Sequence, residues 1–104
     1  DAREEAPGSR QQHDVAHAAL SFAIGDTAAG YAALSKMPAD SEVMTAEMKI
    51  NLLAPGAGEH LRATGKVIKP GRRLVIVTAE VHAVSGEDEK LIAILQGTMV
   101  PVSA

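Results

Sequence analysis

The sequence predicts an α+β fold in which one helix packs on one face of a curved antiparallel sheet, and three observations predict it. Residues 17–35 form one long run rich in Ala, Leu, Phe and Ile and free of proline. The later segments carry the period-two alternation of half-buried strands. Turn-forming clusters separate them: KMPADS, PGAG, Pro70-Gly71 and SGEDEK.

The helix is expected over residues 17–35, roughly eighteen residues and about 27 Å at 1.5 Å per residue. Its Ala and Gly residues cover every face, so a sheet can approach its backbone closely. Pro38 ends it. Asp14 suits an N-cap on propensity alone, and a helix starting there would engage the Ala18 N–H internally.

The strands follow in order. In residues 42–53, Met44, Ala46, Met48, Ile50 and Leu52 fall on one face and Thr45, Glu47, Lys49 and Asn51 on the other. PGAG at 55–58 turns the chain into a strand at 60–69, and Pro70-Gly71 turns it again into residues 72–84. There Val75, Val77, Ala79, Val81 and Ala83 alternate with Leu74, Ile76, Thr78, Glu80 and His82. SGEDEK reads as a charged hairpin loop before the last strand, 91–102. The opening DAREEAPGSR is polar and breaker-rich, so residues 1–10 are expected to be a disordered lead-in or a cut end, and residues 11–104 a single domain.

Composition removes several functions. A chain of 104 residues with 46% hydrophobic content folds without metal or disulfide, and the absence of cysteine excludes a thiolate zinc site and a cysteine nucleophile. A reducing cytoplasm suits such a chain. A net charge of −3, with Phe22 and Tyr31 the only aromatics, gives no stacking platform, so no nucleic-acid partner is expected. The apolar run is Ala/Gly-rich and carries a charge at its centre, so no membrane span is expected.

That charge, Asp26, is the most informative residue. Burying an unpaired carboxylate costs several kcal/mol, so the fold must keep Asp26 wet or give it partners, and either answer points towards chemistry. Its position in the middle of the helix excludes a capping role.

HAALSFAIGDTAAGYAAL, MTAEMKINLLAPG and VIKPGRRLVIVTAEV, in that order, resemble the hotdog-fold acyl-CoA thioesterases of the phenylacetic-acid-degradation and 4-hydroxybenzoyl-CoA type. In that family a His-Gly-Gly opens the central helix and a carboxylate follows nine residues after the His. Here His17 and Asp26 have that spacing and Asp26-Thr27-Ala28 follows, while His-Gly-Gly has become His17-Ala18-Ala19. The family's first strand, before the helix, has no evident counterpart in the opening residues.

The resemblance implies hydrolysis of an acyl-CoA thioester to a carboxylate and CoA, with Asp26 as nucleophile or as the base that activates water. It implies that Gln11, or its neighbour Gln12, polarises the carbonyl, with the Ala18 backbone N–H as second donor. That role requires the helix to begin about three residues after Asp14, the start adopted here. Thr45 matches a Ser/Thr that helps hold the water, although strand parity puts it on the polar face, and Thr27 is a candidate for the same role. His17, grouped with the substrate contacts, is a packing and hydrogen-bonding residue at the helix entry. Lys69, Arg72 and Arg73 match a basic turn near the CoA phosphates. Leu20, Phe22, Ala23 and the Met44 side would line the acyl group.

No metal is expected, because His13 and His17 form at most half a site, and no cofactor is expected beyond the CoA of the substrate. Ala18 and Asp26 lie about 12 Å apart along the helix, too far to share one carbonyl, so a homodimer or a dimer of dimers with shared sites is expected. The rival readings are an acyl-CoA-binding module without turnover, favoured by Ala18-Ala19, and a hotdog hydratase or dehydratase.

Overall fold

The computed structural model describes residues 2–7, 14–54 and 60–103, with the first strand and the first turn of the helix described as backbone. The elements are β1 (Ala2–Pro7), α1 (Asp14–Leu34), β2 (Ser41–Leu52), β3 (His60–Pro70), β4 (Val75–Ser85) and β5 (Asp88–Ser103). The strands form one antiparallel sheet in the order β1-β3-β4-β5-β2, and α1 packs across one face of it.

The α+β expectation holds, with a fifth strand that propensity did not show. The opening residues, expected as a disordered or cut lead-in, pair with β3 from Ala2 opposite Gly65 to Pro7 opposite His60. The physical reason is position. An edge strand needs backbone pairing on only one side, so it tolerates Arg3, Glu4 and Glu5, and proline is accepted at its end.

The helix also differs at its start. It begins at Asp14 rather than three residues later, as the N-cap propensity of that region allows. β4 begins at Val75, which leaves Arg72, Arg73 and Leu74 in the connection. The charged loop before β5 is shorter than expected: Ser85 pairs with Asp88, and Gly86, at a φ of 60°, makes a two-residue turn that only a residue without Cβ adopts easily.

The core lies between α1 and the inner face of the sheet. Ile24, Ala28, Ala29 and Ala33 are buried against Leu61, Ala63, Val75, Val77, Ala79, Val81, Ala83, Leu95 and Met99. Close approach is what the small residues provide. A Cβ at Gly65 would run into the backbone of Ala28 and Ala29, so the glycine lets the helix settle directly on β3. The sheet covers one side of the helix only. The opposite stripe, Ala19, Phe22, Ala23, Thr27 and Tyr31, is exposed, which narrows the expectation that every face is approached.

β2 departs from simple alternation. Its partners on β5 run Thr45 to Met99 and then Glu47 to Thr98, so Ala46 is an extra residue in a bulge. Before the bulge the odd-numbered residues Val43 and Thr45 turn inward, and after it Met48 and Ile50 do. The single apolar face expected for 42–53 is therefore broken, and Met44, expected to line the acyl group, is 52% exposed.

Candidate active site

The bulge brings two sequence candidates together. Thr45 Oγ1 donates a hydrogen bond to Asp26 Oδ1 at 2.7 Å, linking the middle of α1 to the middle of β2. Parity alone put Thr45 on the polar face. One extra residue reverses its direction, because side chains alternate strictly along a strand.

Asp26 is half-buried, with the sheet on one side and the exposed helix stripe on the other. Thr45 is its hydrogen-bond partner among the described residues. The cost of the carboxylate is thus met in both ways open to it, by water on the open side and by a donor on the covered side. A carboxylate held by one short hydrogen bond keeps lone pairs free for a substrate or a water.

The strand opposite the bulge contacts it on both faces of the sheet. Gly97 lies opposite Met48, where a Cβ would collide with the Glu47 carbonyl and come within 2.8 Å of Met48 Sδ. On the outer face Thr98 Oγ1 donates to Glu47 Oε1 at 2.6 Å. Gly97 was not singled out from the sequence, where a glycine inside an alternating strand is the only available signal.

The other candidates fall elsewhere. Thr27 is exposed, and its hydroxyl donates to the Ala23 carbonyl at 2.9 Å, one turn back along the helix, so it does not join Asp26 and Thr45. The helix start at Asp14 corrects the expected start about three residues later and bears on Ala18. In regular α geometry its N–H faces the Asp14 carbonyl, and the free donors lie in the turn before it. Gln11, Gln12 and His13 lie outside the described residues, as does the His17 side chain.

Lys69, Arg72 and Arg73 are all exposed at the β3–β4 connection. Arg72 lines a cleft of about 520 Å³ with Met37, Pro38, Pro70, Gly71 and Lys36, a residue the sequence reading passed over. Among the described residues no group of three or more His, Asp or Glu side chains could hold a metal ion. No helix among them is long and apolar enough to cross a membrane.

The chain belongs to the thioesterase superfamily, whose family model matches residues 13–90. It is similar in structure to a thioesterase family protein of Silicibacter pomeroyi, at 33% identity and a TM-score of 0.87 over 99% of this chain and 79% of that one. A Bacillus halodurans protein solved with CoA matches at 20% identity and a TM-score of 0.83, over 96% of this chain and 66% of that one. The E. coli PaaI protein, from the phenylacetic acid degradation operon, matches at 24% identity and a TM-score of 0.78, over 98% and 72%. No curated protein matches the sequence. One helix on a curved antiparallel sheet is the hotdog fold of these thioesterase relatives, and thioester hydrolysis is the general chemistry of the family.

Proposed function

We propose that this chain hydrolyses an acyl-CoA thioester to a free carboxylate and CoA, with Asp26 as the reacting group and Thr45 as its partner. The observation that carries this reading is the 2.7 Å hydrogen bond from Thr45 to a half-exposed mid-helix carboxylate. As a base, Asp26 takes a proton from water, the resulting hydroxide adds to the thioester carbonyl, and the C–S bond breaks with CoA leaving as thiolate. As a nucleophile, Asp26 adds to the carbonyl itself and expels CoA, and water then cleaves the mixed anhydride. Thr45 orients the carboxylate in either route.

The carbonyl oxygen needs donors of its own, and the expected ones are Gln11 and backbone N–H groups in the first turn of α1. The first-turn N–H groups lie more than about 12 Å from Asp26 along the helix, so they serve the Asp26 of a second copy of the chain. The sheet offers an edge for that copy. Among the described residues β2 is terminal in the strand order, and one side of its 12 residues, Ser41–Leu52, has no strand neighbour there. CoA is placed by its phosphates at the cleft of Lys36 and Arg72, with Lys69 and Arg73 beside it. Lys36 lies two residues beyond the end of α1 at Leu34, which is itself about 12 Å from Asp26 along the helix axis, a span that the extended pantetheine arm covers. The cytoplasm is the compartment that this substrate class implies.

The test is release of CoA thiol from a panel of acyl-CoAs by the wild-type chain and by Asp26→Asn. One observation favours a second reading: with the Ala18 N–H engaged inside the helix, the chain would bind acyl-CoA without turning it over. CoA binding without thiol release identifies that case.

A further inference from the structure

Met99 is wholly buried in the core, yet its sulfur lies 3.2 Å from Thr45 Oγ1, the same oxygen that donates to Asp26. The two residues face each other across the β2–β5 ladder, and Met99 also pairs with Val75 on β4. From this geometry we infer that Met99 is a positioning residue for the Asp26–Thr45 pair. The inference rests on the role proposed for Asp26.

A threonine hydroxyl has a single proton to give. Between a carboxylate and a thioether the carboxylate is much the stronger acceptor, so the proton goes to Asp26 and the sulfur sits against the same oxygen from another side. Three staggered wells are open to the Thr45 side chain, and only one aims its hydroxyl at Asp26. Packing decides which well is filled. The Met99 sulfur gives the hydroxyl a contact in that well, and the core around Met99 fixes where the sulfur lies. The bulge turns Thr45 inward, and Met99 sets its rotamer. A leucine at 99 fills almost the same volume but offers no polarisable contact to the oxygen.

A double-mutant cycle tests this, using the full chain, Met99→Leu, Thr45→Val and the combination. Met99→Leu is expected to lower kcat by about three- to tenfold, the scale of a side-chain rotamer preference, with KM within roughly twofold. In the Thr45→Val background, with no hydroxyl left to position, the same change is expected to alter kcat by less than about 1.5-fold. An equal loss in both backgrounds would mean that Met99 acts by packing alone, and no loss in the wild-type background would mean that it does not act on Thr45; either overturns the inference. Met99→Ile is the second variant if the leucine form does not fold.

A wild-type chain that turns over no thioester would contradict the proposed activity rather than the contact. The Thr45 χ1 distribution, read from three-bond NMR couplings in the wild-type chain and Met99→Leu, then decides the contact without any turnover. One dominant rotamer in the wild-type chain and averaging in the variant is expected. One unchanged rotamer in both overturns the inference.

Discussion

Thr45 and Glu47 are two residues apart on one strand, yet they face opposite sides of the sheet: Thr45 donates inward to Asp26, and Glu47 accepts outward from Thr98. In a regular strand they would share a face. Ala46, the unpaired residue between them, makes the difference. The site therefore depends on a backbone irregularity as much as on its side chains.

Gly97 is the first place to disturb it. Gly97→Ala would push a methyl group into the Glu47 carbonyl and Met48, so β2 must move away at the bulge. A destabilisation of about 1–3 kcal/mol is expected, read as a lower melting temperature. Thioesterase activity of the fraction still folded should fall as well, because Thr45 moves with the strand. A folded Gly97→Ala protein with full turnover would show that the bulge does not set Thr45.

Thr45 itself separates hydroxyl from shape. Thr45→Val keeps the branched side chain and removes the donor, and is expected to lower kcat by roughly tenfold or more, as loss of a hydrogen bond to a charged group does. Thr45→Ser should stay within about threefold of wild type, since the donor is kept. Steady-state kcat and KM on one acyl-CoA check both.

Much of this was legible in the sequence. Asp26 stood out because a charge in the middle of an Ala-rich helix requires a reason. The helix, its end before Pro38, the Pro70-Gly71 connection and β3 to β5 followed from periodicity and breakers, while the PGAG turn at 55–58 lies outside the described residues. Three things were not legible. β1 is an edge strand of polar residues, which pairs through its backbone and leaves no pattern in its side chains. The direction of Thr45 depends on a bulge, and strand parity carries no sign of one extra residue. The engagement of the Ala18 N–H turned on a helix start that N-cap propensity favoured and resemblance opposed.

The basic cleft gives a prediction of a different kind. Reversing Lys36 and Arg72 together, as Lys36→Glu with Arg72→Glu, should raise KM for acyl-CoA by roughly tenfold, because two exposed charge contacts are each worth up to about 1 kcal/mol. A short thioester without phosphates, such as an N-acetylcysteamine ester, should show no such rise. Equal effects on both substrates would remove these residues from phosphate binding.

Shared sites can be tested by mixing. Asp26→Asn subunits refolded with Gln11→Ala subunits give about half hybrid dimers by random pairing, each with one intact site and one doubly damaged site. Two nearly inactive parents should then recover roughly a quarter of wild-type activity. No recovery, with hybrids confirmed by native mass spectrometry, would mean that each site comes from one chain or that Gln11 takes no part.

The role of Asp26 is tested most directly by thiol release from acyl-CoA in Asp26→Asn, which keeps shape and volume and removes the negative charge. Turnover should fall by at least about 10²-fold, the lower end of what a positioned base or nucleophile contributes, while the melting curve shows the protein folded. Turnover within about threefold of wild type in a folded Asp26→Asn protein would contradict a reacting carboxylate at this position.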